Sequence, residues 1–71
     1  MSGNTYKMTT LVGESPESIE AAVLTALSTS AKNVHGQEWC QVTDIRANVN
    51  ESGGVDRWQV ELKVAFEVDG S

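Results

Sequence analysis

Apolar positions along this chain fall into blocks of two different periods. Between Thr5 and Val12 the pattern alternates imperfectly, with Tyr6, Met8, Thr10 and Val12 on one parity and Lys7, Thr9 and Leu11 on the other. That predicts a strand. From Ile19 the period lengthens: Ile19, Ala22, Val23, Ala26, Leu27, Ala31 and Val34 form one stripe at helical spacing. Ser15 offers a hydroxyl cap ahead of it, Pro16 suits the first helical position, and Glu17 puts negative charge where the helix dipole favours it. Gly36 supplies a stop, with Lys32 and His35 in the last turn. A helix with these ends is about 30 Å long. Its other face (Glu20, Thr25, Ser28, Thr29) is polar but lightly charged and suits close packing against another subunit.

Glu38 to Glu51 reads as a long second strand whose apolar phase changes. Cys40 and Val42 share one parity, while Ile45, Ala47 and Val49 share the other. A slip of one residue swaps faces, so a bulge is predicted near Thr43–Asp44. Ser52-Gly53-Gly54 is a tight turn. Val55 to Asp69 is the cleanest strand: Trp58, Val60, Leu62, Val64, Phe66 and Val68 alternate with Arg57, Gln59, Glu61, Lys63, Ala65 and Glu67. The expected fold is α+β, a β-α-β-β order with a three-stranded antiparallel sheet wrapped around one long helix, in a single domain over residues 1–71. The ends, Met1 to Asn4 and Gly70-Ser71, read as frayed.

Size makes this fold depend on partners. A chain of 71 residues buries only about 60% of its unfolded surface, and small scaffolds lean on disulfides, metals or oligomerisation. With one cysteine and one histidine, Cys40 and His35, the chain has neither an intrachain disulfide nor a four-ligand zinc site. Self-association remains. Two long hairpin strands with an exposed edge point the same way. The net charge of −5 argues against nucleic acid and anionic membranes as partners. No apolar run approaches the about 18 residues of a membrane helix. The opening residues lack the basic and apolar regions of a secretory signal, and a lone cysteine fits a reducing compartment, so a cytoplasmic location is expected. The residues show no nucleophile-base-acid set, no glycine-rich phosphate loop after a strand, and no paired carboxylates. The expectation is a protein that is not an enzyme and holds no metal.

Folding the hairpin about Gly53-Gly54 sets Ile45 near Val60 and Ala47 near Trp58, facing the helix, and Arg46 near Gln59 on the other face. Beyond the bulge Trp39 turns outward. Trp39, Arg46 and Gln59 then share an outer face, with Asp44 at the bend beside them. An outward tryptophan marks either a subunit contact or a platform for a flat ligand. Gln59 carries an acceptor and a donor on one planar group and matches a ring edge with neighbouring donor and acceptor atoms. Taken alone, Gln59 reads more often as a solvated strand residue, and Arg46 and Asp44 more often as surface charges. Trp58 and Cys40 read as core, and His35 as a helix-end residue.

Three stretches resemble the dodecins: Tyr6-Lys7-Met8-Thr9-Thr10-Leu11-Val12-Gly13-Glu14-Ser15-Pro16-Glu17-Ser18, then Glu38-Trp39-Cys40-Gln41-Val42-Thr43-Asp44-Ile45-Arg46, and Trp58-Gln59-Val60-Glu61-Leu62-Lys63-Val64-Ala65-Phe66. The resemblance runs from Thr5 to Asp69. It implies a hollow dodecamer of cubic symmetry in which flavins sit in antiparallel pairs between tryptophans of two subunits. Trp39 matches the stacking tryptophan and Gln59 the glutamine that bonds the isoalloxazine edge. Arg46 matches an arginine near the ribityl and phosphate part of FMN, and Asp44 an acidic residue near the ribityl chain. The implied function is flavin storage: FMN or riboflavin, or lumichrome, sequestered and quenched. A carrier of another nucleotide-like cofactor such as coenzyme A, and a flavin-dependent reductase, are the alternatives. The chain departs from many bacterial members at Cys40, where they carry a bulky aromatic. It departs again at Glu67, where they carry an arginine, and a carboxylate there weakens phosphate binding.

Overall fold

Strand β1 (Thr5–Ser15) extends beyond the predicted Val12, because Gly13, Glu14 and Ser15 continue the ladder opposite Val60, Gln59 and Trp58. Helix α1 (Ile19–Ala31), β2 (Gln37–Val49) and β3 (Val55–Val68) follow. The computed structural model describes residues 3–68. The predicted strand end at Asp69 and the chain ends Met1-Ser2 and Gly70-Ser71 lie outside them. The sheet is antiparallel with order β1-β3-β2, giving the predicted β-α-β-β architecture.

The helix is shorter than its stripe predicts, about 20 Å at 1.5 Å per residue. Its cap is Ser18, which has extended backbone and accepts from the Ala21 amide at 2.9 Å. Ser15 still belongs to β1, and its hydroxyl accepts from the Glu17 amide at 3.0 Å in a local turn. Ser15 and Ser18 carry the same capping chemistry, so pairing of Ser15 with Trp58 decides between them. Pro16 and Glu17 therefore precede the helix. At the other end the Lys32 amide tightens back onto Thr29 at 3.2 Å, and Asn33 and Val34 both donate to the Ser30 carbonyl at 3.0 Å. The run Ser28-Thr29-Ser30 is weakly helix-forming, and the helix ends before Gly36. Gly36, at φ 80°, instead turns the chain into β2.

The core lies between α1 and the paired β1 and β3. Ala22, Ala26, Val60, Leu62 and Val64 are buried there, with Leu11, Val23, Leu27 and Cys40 packed against them. Small residues let the helix approach closely. A methyl group on Gly13 would sit 2.1 Å from the Ala22 carbonyl oxygen and 3.0 Å from the Ala26 side chain. Gly13 fixes the seat of the helix on β1.

The bulge falls where the phase change predicts: the pairing steps from Val42–Leu62 to Asp44–Glu61, leaving Thr43 outside the ladder. The Thr43 hydroxyl donates to the Glu61 carbonyl at 3.2 Å instead. Ile45–Val60, Ala47–Trp58 and Arg46–Gln59 pair as the hairpin reading sets them. Gly53, at φ 87°, closes the turn, and the Asn50 side chain accepts from the Ser52 and Gly54 amides.

The helix packs mainly on β1 and β3; of the helix-side residues of β2, Cys40 joins the core, and Val42, Ile45 and Val49 lie beyond it. Val42, Ile45 and Val49 stay 43–67% exposed, and Val55 opposite Val49 is exposed too. With extents of 58 × 21 × 13 Å and a radius of gyration of 15.0 Å, the chain is longer than the about 11 Å radius of a compact domain of its length. An apolar row of this kind is the mark of an association surface.

Gly13→Ala forces the helix off its seat, and the expected cost is about 3 kcal/mol, read as a lowered urea midpoint. An unchanged midpoint would show that the helix shifts freely. Ser18→Ala removes the cap and is expected to cost about 1 kcal/mol in the same measurement.

Candidate functional site

On the sheet face away from the helix, residues of all three strands come together. β1 presents Tyr6, Met8, Thr10, Val12 and Glu14. β3 presents Arg57, Gln59, Glu61, Lys63, Ala65 and Glu67. β2 presents Trp39, Gln41, Asp44, Arg46 and Asn48. The row Tyr6–Met8–Val12, which sequence alternation alone leaves without a direction, thus points away from the core. It turns out because its partners Glu67, Ala65 and Glu61 all lie on the outer parity of β3.

Two clusters divide this face. At one end Trp39 sits opposite Ala65, and Ala65 sits opposite Met8. The indole leans across the small Ala65 toward β1 and meets Tyr6, with ring centroids 4.8 Å apart and planes tilted by 60°. Tilted pairs of this kind contribute about 0.5–1.5 kcal/mol beyond the area they bury. Ala65 is fully buried although it faces outward, and Trp39 remains 46% exposed. Sequence reasoning did not single out Tyr6 as a neighbour of Trp39. The signal was present in its parity, but only the order β1-β3-β2 makes the two rings meet across Ala65.

At the other end a polar network surrounds Gln59. Arg46 donates from Nε to Gln59 Oε1 at 2.9 Å, and its Nη1 donates to Asp44 at 3.0 Å. The same guanidinium faces Glu61 at 3.8 Å. Gln59 Nε2 donates to the Glu14 carboxylate. Sequence reasoning brought together Arg46, Gln59 and Asp44, and the structure does the same. It missed Glu14, which lies far away in the chain and arrives through the Glu14–Gln59 pairing of β1 with β3.

Trp39 and Gln59 share the face but do not touch. The indole stands at Ala65 and the amide at Gln59, about 20 Å apart along β3 at about 3.3 Å per residue. The shared outer face holds, but within one chain the indole and the amide are too far apart to meet one flat ring.

Elsewhere, a groove of about 530 Å³ runs between α1 and β1, lined by Thr9, Leu11, Thr25, Thr29 and Val34 among others. It lies on the other side of the sheet edge from Trp39. Among the described residues no three or more His, Cys, Asp or Glu side chains group to hold a metal ion, and no helix is long and apolar enough to cross a membrane.

The sequence model of a family described as Dodecin matches residues 5–69. A curated dodecin of Thermus thermophilus is 39% identical over 67 residues, covering 94% of this chain and 96% of that protein. Among solved structures, a protein of Thermus thermophilus superposes with a TM-score of 0.89 at 38% identity, covering 97% of this chain and all of its own. Dodecin from Streptomyces coelicolor gives 0.90 at 35% identity, with both chains fully covered.

The ion pairs of the polar cluster are exposed, with side chains 37–59% accessible, and such pairs contribute about 0–1 kcal/mol. Asp44→Asn is expected to shift the unfolding midpoint by less than about 1 kcal/mol. A larger loss would mean that the cluster holds the fold together rather than serving a ligand.

Proposed function

The chain belongs to the dodecin family, and from that membership we propose that it is a flavin-binding storage protein that works as a closed homo-oligomer. The whole chain acts as one dodecin-type domain. The observation that carries the reading is Trp39 on the outer face, tilted by 60° against Tyr6 and still 46% exposed. An exposed indole offers a platform for a flat aromatic ring.

The donor set fits a flavin. Trp39 offers a ring face, Gln59 an acceptor and a donor for the pyrimidine edge, and Arg46 and Asp44 offer charge and hydrogen-bonding groups for the ribityl chain. The distance between Trp39 and Gln59 supports a site shared between subunits. The uncovered row Val42, Ile45, Val49 and Val55 supports burial against further copies, and a dodecamer is the assembly we propose. A bound flavin supplies a visible chromophore with a reactive excited state. Trp39 would hold the ring by stacking on it and would quench its emission. The result is storage and photoprotection without turnover. Stacking on both faces leaves no ring face for a second substrate, which is why a reductase is not the reading we favour. The half-buried, free Cys40 fits a reducing compartment, and we place the protein in the cytoplasm.

Glu67 bears on the choice of flavin. It lies on the outer face opposite Tyr6, at the aromatic end of the sheet, and a carboxylate there disfavours a phosphate. Riboflavin is the better ligand in this reading.

Purified ligand-free protein titrated with riboflavin is expected to quench flavin emission nearly completely, saturating at one flavin per chain. FMN is expected to bind several-fold more weakly, and Glu67→Arg to narrow that gap. Trp39→Ala should restore emission or abolish binding. A Trp39→Ala protein that binds and quenches like the parent rules out the sandwich. Light scattering should give the mass of a dodecamer, and a monomer would overturn the assembly.

A further inference from the structure

Gln59 stands in the middle of a chain of polar side chains that crosses all three strands. Arg46 donates to its Oε1 at 2.9 Å from one side, and its Nε2 donates to Glu14 on the other. The neighbours are themselves held: Arg57 faces the second oxygen of Glu14 at 3.9 Å, and Asp44 bonds Arg46 at 3.0 Å. A glutamine amide has two orientations that exchange oxygen and nitrogen. Here a donor stands on one side and an acceptor on the other, so one orientation satisfies both and the reverse satisfies neither. An amide oxygen accepts two hydrogen bonds and an amide nitrogen donates two. Each atom of Gln59 uses one with its neighbour and keeps one. One acceptor and one donor therefore remain, side by side on a planar group of set orientation.

We propose that Glu14 is a positioning residue for the ligand. Together with Arg46 it clamps the Gln59 amide, so that the remaining acceptor meets a ring N–H and the remaining donor meets the adjacent ring carbonyl. On the flavin reading above, on which this inference rests, those ring atoms are N3–H and its neighbouring carbonyl. The clamp makes the site selective for flavins that keep the N3 proton. Glu14 acts through Gln59 and does not itself touch the ligand. Ordering a side chain before binding removes an entropic cost that otherwise falls on association, and releasing the clamp is expected to weaken riboflavin binding about three- to tenfold.

The test compares riboflavin with N3-methylriboflavin, which presents no N3 proton, by fluorescence titration of the parent, Glu14→Ala, Glu14→Thr and Glu14→Gln proteins. The parent is expected to prefer riboflavin. Glu14→Ala and Glu14→Thr, too short to reach Nε2, should lose about three- to tenfold in riboflavin affinity with little change for the methylated ligand, so that the preference shrinks. Glu14→Gln keeps an acceptor and should stay near the parent. Equal loss for both ligands would mark Glu14 as merely structural, and no loss for either would mean that Gln59 needs no clamp; each overturns the proposal while leaving flavin binding intact. A parent that binds neither ligand overturns the flavin reading, and this inference with it.

Discussion

The close seat of the helix on the first strand governs the rest of the molecule. Gly13 has no side chain, and the Ala22 carbonyl occupies the place where one would be. That contact, with Ala22 and Ala26 on the helix side, draws α1 over β1 and β3. A single helix about 20 Å long does not also cover the far part of β2, from Val42 to Val49. The apolar row along β2 is left bare, and the chain stays elongated at 58 Å. So tight packing at one edge of the sheet creates the need for cover at the other. A 71-residue chain with little core to spare meets that need with further copies of itself.

The opposite face of the same sheet carries the candidate site. Strand alternation sends every second side chain there, and the antiparallel order brings β1 and β2 alongside β3 from either side. One end of the face is aromatic, where Trp39 and Tyr6 meet above Ala65. The other is polar, where Arg46 and Glu14 meet at Gln59. The two ends are separated by the length of the strands. That separation makes the proposed site a property of the assembly. Its polar network contributes little to folding, because exposed ion pairs are weakly stabilising, yet it sets the orientation of the Gln59 amide.

Several features were legible in the residues. The β3 alternation, the Thr43–Asp44 bulge, the hairpin register and the outward direction of Trp39 all follow from side-chain period and from the single turn around Gly53. These are local properties: a strand of period two, a phase slip and a glycine-rich turn leave few alternatives. The helix ends were less legible, since Ser15 and Ser18 carry the same capping chemistry and the stripe continues to Val34 past the last helical turn. Pairing of Ser15 with Trp58 and the weak run Ser28-Thr29-Ser30 settle those ends, and both act only once the sheet exists.

Composition and periodicity thus determine the α+β architecture, the hairpin and the need for association. They do so because they depend on neighbours within a few residues and on chain length. Which strand stands in the middle of the sheet is a tertiary matter. The order β1-β3-β2 puts β1 beside β3 across more than forty residues of chain, and no local pattern encodes that distance. From it come the Tyr6–Trp39 contact, the bond from Gln59 to Glu14 and the bare row along β2. It also reveals that Trp39 and Gln59, on one face by parity, are too far apart to meet in one chain. Parity tells which side of a sheet a residue occupies. Position along the strand relative to its neighbours tells what it touches, and only the folded sheet sets that.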